Sequence, residues 1–272
     1  MARRTEFAVS HSPDQVPAPD DVVWRLPGSA PVQRTSLLVL AHSGGNAHAY
    51  SGWRAHLPED VTLLVGQYPG RGARFSEELP GSLDDLAGPI LAALPPGTGD
   101  LVVLGHSMGS LVAFEIARRL TEAGRPPRAL IASACRAPFL DNPSVVLPER
   151  LDDDQLVAAI KERGGTDDGI LDDPELREIV LPAIRADFGI DDVYRFDGAL
   201  PAVDCPVTVL GGEADAVAPP EMLAPWAEVT SGGCVQEFLP GGHFYFQQQL
   251  DAFFVRVNAV LSGVESAAAP AL

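Results

Sequence analysis

The chain has 272 residues, 46% of them hydrophobic and 21% charged, and a formal net charge of −18. This is the balance of a soluble globular protein; no run reaches the about 18 apolar residues of a membrane span, and the acidity disfavours nucleic acid because phosphates are repelled. Cys135, Cys205 and Cys234 form neither a CxxC pair nor a metal spacing, and an odd number argues against a disulfide framework, so a cytoplasmic protein is expected.

Residues 1–20 are polar, carry Pro13, Pro17 and Pro19, and are expected to be loosely attached. Their two arginines precede no apolar stretch, so a signal peptide is not expected. Strand-like runs follow at 36–41, 61–66, 101–104, 129–133, 207–210 and 235–239. Several are near-continuous Val, Leu and Ile, the pattern of a parallel sheet covered on both faces. Amphipathic segments at 50–56, 83–94, 110–123, 220–229 and 246–261 alternate with them. The alternation predicts an α/β fold with a mostly parallel central sheet flanked by helices. Its core would span 21–139 and 199–262, with 263–272 a flexible tail.

Residues 140–198 break the pattern. They hold two helical stretches, 151–160 and one opened by Asp173-Pro174 and running through Phe188, with a possible kink at Pro182. A helical insertion between two strands predicts a lid. Between positions 141 and 197 sixteen Asp and Glu face six Lys and Arg, a net −10. Asp187, Asp191 and Asp192 there read as solvated charge.

The run LVVLGHSMGS, residues 101–110, drives a strand into Gly105-His106-Ser107-Met108-Gly109 and then a helix. Strand, Gly-x-Ser-x-Gly and helix together make a nucleophile elbow, which lifts the serine hydroxyl above the sheet edge. Ser107 is therefore the candidate nucleophile. A serine hydroxyl needs a base, and His243, in FLPGGHFYF after the last strand, stands where the order Ser…Asp…His requires one. His48 and His56 belong to a helix or its approach, and the His106 side chain should point away from Ser107. The orienting acid should follow an earlier strand; VTVLGGEADAV offers Asp215, with Glu213 as runner-up. Met108 N–H is one oxyanion donor; the other should come from Ser43 in LLVLAHSGGN, with Gly44 as its rival.

With these pieces in place, the chain resembles the type II thioesterases, the stand-alone editing hydrolases of polyketide and nonribosomal peptide synthases, within the α/β-hydrolase superfamily. The resemblance covers residues 36 to 261 and rests on AHSGGNAHAYSGWRAHLP, QYPGRGAR, GHSMGSLVAFEIARRL, DPELREIVLPAIRADF, CPVTVLGGEAD and PGGHFYF. It implies Ser107, His243 and Asp215 as nucleophile, base and orienter, a mobile lid, and no cofactor or metal. It departs from the family at Ser43, where Ala is frequent, and at Asp215-Ala216, where Asp-Pro is frequent; the second departure keeps Glu213 as an alternative.

The resemblance further implies a substrate held on the phosphopantetheine arm of an acyl or peptidyl carrier protein, and a monomeric enzyme is expected. Arg71 and Arg74 are candidates for the arm's phosphate or the carrier surface, and Arg118, Arg119, Arg125 and Arg128 for a second basic patch. A product-releasing thioesterase or acyltransferase, or a small-ester hydrolase, is the alternative.

Overall fold

The computed structural model describes residues 22–95, 100–143, 148–166 and 168–263. The segment 1–20 and, apart from Gly263, the expected tail lie outside the described residues. Among the described residues seven strands form one sheet in the order β1-β3-β2-β4-β5-β6-β7. They are β1 (Val23–Leu26), β2 (Thr35–Leu40), β3 (Val61–Gly66), β4 (Asp100–His106), β5 (Ala129–Ser133), β6 (Val207–Gly212) and β7 (Cys234–Leu239). All neighbours pair parallel except β1, which lies antiparallel on β3. All residues of β2 and β3 are buried, Thr35, Ser36 and Thr62 among them, as strands rich in Leu and Val covered on both faces require. The edge strand β1 has no counterpart in the expected elements. Its four residues, VWRL, are too few for a period, and Arg25 faces solvent.

The helices are α1 (His48–Ser51), α2 (Leu83–Ala93), α3 (Met108–Glu122), α4 (Asp153–Arg163), α5 (Asp168–Asp172), α6 (Pro174–Val193), α7 (Pro220–Leu223), α8 (Tyr245–Gln248) and α9 (Leu250–Ser262). Two expected helices begin as α1 and α7 and tighten into 3-10 turns, Gly52–His56 and Ala224–Glu228. The expected helix over 246–261 is broken at Gln249 into α8 and α9. Capping marks the starts: Ser82 accepts from Asp85 N–H at α2, Asp152 and Gln155 form a capping box at α4, and Asp173 accepts from Glu175 and Leu176 N–H at α6. Helix α6 runs through Pro182 and past Phe188 to Val193.

Strands β5 and β6 are neighbours, yet the chain leaves the sheet between them to build α4, α5 and α6. That excursion has its own small core, in which Leu156, Ile160 and Leu171 meet Leu181, Ile184 and Phe188. The main core is separate and fills both faces of the sheet, with α3 buried along most of its length. Among the described residues no helix is long and apolar enough to cross a membrane.

Candidate active site

Strand β4 ends at His106, and Ser107 follows with φ 55° and ψ −130°, a strained conformation for a residue with a side chain. The flanking glycines permit it. A Cβ on Gly105 would lie 2.0 Å from the Gly109 carbonyl oxygen, and one on Gly109 would lie 2.2 Å from that of Leu40. The Ser107 N–H donates to the Ser133 carbonyl on β5 (2.8 Å), and its own carbonyl accepts from Ser110 N–H (2.8 Å). The turn is thus locked into the sheet, and the N-terminus of α3, with the Met108 N–H, begins at the serine.

His243 reaches Ser107 from the β7 side. Its Nε2 is 2.9 Å from Ser107 Oγ, and its Nδ1 is 2.9 Å from Asp215 Oδ2. A Cβ on Gly212 would lie 2.2 Å from the Gly242 carbonyl oxygen, so the missing side chain lets the histidine loop close over the end of β6. Asp215 is 3% exposed; its Oδ1 accepts from Val217 and Ala218 N–H at 2.8 and 3.1 Å. Burial pushes its carboxyl up, but the His243 hydrogen bond and charge together with the two backbone donors outweigh that and hold it below the usual range. An ionised carboxylate only accepts, so Nδ1 carries the ring proton and Nε2 is left to accept from the Ser107 hydroxyl. Glu213 is exposed at the end of β6, away from this relay.

His106 is fully buried, hydrogen-bonded through Nδ1 to Ser133 Oγ (2.9 Å), and held well below its ordinary pKa by burial and by the charges of His243 and His42. It is committed away from Ser107. His42, absent from the sequence-based candidates, lines the cleft with its Nδ1 2.7 Å from the Tyr50 hydroxyl. Burial, then the charges of His243 and Arg71, lower its pKa to about 4, against a hydrogen bond with the Gly165 backbone. As a residue His42 is half-buried where it lines the cleft.

Ser43 and Ser107 line one cleft, roofed by Ile160 of α4, Ile184 and Phe188 of α6, and Phe244 beside the histidine. Its volume is about 20 Å³, room for one water molecule. A larger hollow of about 430 Å³ lies against Leu79, Pro182 and Arg185 and contains none of Ser107, Asp215 or His243, so size alone would misplace the site. Among the described residues no three His, Cys, Asp or Glu gather as metal ligands.

The arginine expectations need correction. Arg71 and Arg74 are each 7% exposed and turned inward. Arg71 forms a two-bond ion pair with Asp187 of α6, which is itself fully buried rather than solvated. Arg74 donates to Glu77 and to the Gln67 carbonyl (2.8 Å). Both guanidinium groups are held by these internal bonds. Asp191 pairs with buried Arg136 (2.8 Å), and Asp192 accepts from Asn142 (3.1 Å). In the second patch, Arg118 pairs with Glu115 and Glu122, Arg119 with Asp84 and Glu115, and Arg128 lies 3.8 Å from Asp100. Gly44 N–H, the rival oxyanion donor, is occupied by Asp187 Oδ2 at 2.7 Å.

The thioesterase domain family model matches residues 35–261. Thioesterase PikA5 of Streptomyces venezuelae is 38% identical over 223 residues, covering 81% of this chain and 78% of that protein. A probable cadicidin biosynthesis thioesterase of Streptomyces griseus is 36% identical, over 83% of this chain and 62% of its own length. Among solved structures, the type II thioesterase BorB from the borrelidin biosynthetic cluster superposes with a TM-score of 0.79 at 32% identity, over 89% of this chain and 98% of that one. The sheet order, the elbow and these matches agree: the chain belongs to the thioesterase domain family, on an α/β-hydrolase fold, alongside the type II thioesterases of polyketide and nonribosomal peptide pathways.

Proposed function

We propose that the protein is a serine thioesterase that hydrolyses acyl groups from the phosphopantetheine arms of carrier proteins, clearing stalled or aberrant chains from a polyketide or nonribosomal peptide synthase in the cytoplasm. The observation that carries this reading is the continuous relay from Ser107 Oγ through His243 to Asp215, 2.9 Å at each step.

In the first half-reaction His243 Nε2 takes the Ser107 proton as Oγ attacks the acyl carbonyl, while Asp215 holds the ring and stabilises the imidazolium. The Met108 and Ser43 N–H groups receive the oxyanion; losing one such donor costs roughly 3–4 kcal/mol of barrier. The pantetheine thiol leaves with the proton carried by His243. A water, deprotonated by the same nitrogen, then releases the acid. Ile160 of α4 and Ile184 and Phe188 of α6 roof the cleft over Ser107, so α4 and α6 act as a lid that moves aside for substrate and returns for chemistry. An acidic carrier would approach away from the net −10 segment at 141–197.

Mass spectrometry of the protein mixed with a panel of acyl-pantetheine thioesters tests the reading. The expected result is an acyl increment on Ser107 together with free acid, both abolished by Ser107→Ala. Undiminished hydrolysis by that variant would end the serine mechanism. Products formed with and without an added alcohol or amine separate hydrolysis from acyl transfer.

A further inference from the structure

The loop between β2 and α1 carries Ser43, and its backbone is tied down by residues distant in sequence. Tyr68 donates to the Ala41 carbonyl (3.1 Å), and Gln67 Oε1 accepts from Ala47 N–H (3.0 Å). Inside the loop, Gly45 N–H donates to the His42 carbonyl at 2.9 Å. A trans peptide sets its C=O and N–H on opposite sides, so this bond also directs the Ser43 N–H. The next peptide is held from the helical insertion, where Gly44 N–H donates to Asp187 Oδ2 at 2.7 Å. Arg71 grips the same carboxylate, including a bond from Nη2 to Oδ1 of 2.8 Å. Gly44 has φ +79°, and a Cβ there would lie 2.6 Å from Ile184 Cγ1, so α6 packs on the bare loop backbone.

A buried ion pair is a poor source of net stability, because desolvation offsets the Coulombic attraction. It is a good source of fixed geometry, and here the geometry fixed is that of the peptide beside the oxyanion donor. We infer that Asp187 is a positioning residue: seated by Arg71, it holds the 43–44 peptide so that the Ser43 N–H faces the space above Ser107, and the oxyanion hole is complete only while α6 is docked. The inference rests on the proposed role of Ser43. Hydrolytic competence is thereby tied to closure over the substrate, and a carbonyl presented while α6 is lifted meets a hole with one of its two donors loose.

The test compares the wild type with Arg71→Met/Asp187→Leu and with Asp187→Asn. Removing both charges avoids leaving one buried and unpaired, so the double variant should fold. The readouts are kcat and KM for an acyl-pantetheine thioester, and affinity for an alkylboronic acid, whose tetrahedral adduct on Ser107 uses the same donors. In the double variant kcat should fall roughly ten- to hundredfold, with boronate affinity falling in parallel and KM within about threefold. Asp187→Asn keeps an acceptor oxygen for Gly44 but leaves the Arg71 charge without its counter-ion, so it should recover only part of that loss. A double variant with wild-type kcat and boronate affinity, or one altered in KM alone, would overturn the inference while leaving the serine mechanism intact. A wild type that forms no Ser107 adduct would remove both. Amide exchange of Gly44 in the wild type gives an answer even if the double variant fails to fold: strong protection supports the contact to Asp187, and exchange at the rate of an open loop refutes it.

Discussion

Replacing Asp215 with Asn probes the relay at its most buried point. In the native site Oδ2 accepts from His243 Nδ1–H at 2.9 Å, while Oδ1 accepts from two backbone N–H groups at 2.8 and 3.1 Å. Asn offers one acceptor oxygen and one donor amide. Two backbone donors compete with one ring donor for that oxygen, so it stays on their side and the NH₂ faces His243. Nδ1 must then accept, Nε2 carries the proton, and the ring can no longer take one from Ser107. Turning the amide round would strand both backbone donors, at about 2–5 kcal/mol in total. At 1.36 kcal/mol per tenfold, together with the lost carboxylate beside the imidazolium, kcat should fall by roughly 10³–10⁴. KM should change by less than about threefold, since no substrate contact is touched. Thiol release from an acyl-pantetheine thioester measures both constants. Glu213→Gln, at an exposed position, should stay within about twofold. A loss below tenfold for Asp215→Asn, or a larger one for Glu213→Gln, would refute the assignment of the acid.

Gly109→Ala would place a methyl 2.2 Å from the Leu40 carbonyl oxygen and 2.6 Å from that of Ala41, backbone in or adjoining a central strand. About 3 kcal/mol of destabilisation is expected, a fall in melting temperature of roughly 6–12 °C; Gly52→Ala, with nothing within 4 Å, should not lower it, and equal melting points for the two variants would contradict the close approach. His42 is neutral in the folded protein, with a pKa of about 4 against 6.5 when unfolded. Between those values the unfolded chain binds more protons, so stability should fall as pH drops from 6.5 to 4, by up to about 3 kcal/mol from this group. Urea midpoints at pH 7 and 5 should show the loss, and His42→Asn should shrink it without abolishing it, because buried His106 is lowered in the same direction. Arg74→Gln loses bonds to Glu77 and the Gln67 carbonyl, so it should lower the melting temperature, at about 1–3 kcal/mol, and leave the ratio of rates on carrier-bound and small thioesters unchanged. A selective rise in KM for the carrier-bound substrate would restore a docking role.

Much of the site was legible because its chemistry is local. The elbow needs a strand, two glycines and a helix within ten residues, and 101–110 holds all of them. Asp215 and His243 were readable from strand ends, since a parallel sheet brings the C-terminal ends of its strands to one edge. Asp187 was read as solvated charge and Arg71 as a candidate for docking, because their pairing spans 116 positions and no periodicity links a loop to a helix. One signal was available: in LPAIRADF, Asp187 falls between Ile184 and Phe188, both turned to the apolar side of α6, and an acid on that side is stable only beside a cation. The sequence by itself determined the parallel sheet and the strand-end positions of Ser107, Asp215 and His243, because hydrophobic runs and turn sterics act over a few residues. Tertiary structure alone decided which carboxylate meets the imidazole, which N–H groups are already occupied, and how closely the helical insertion covers the serine. Those depend on distances between segments that only packing brings together.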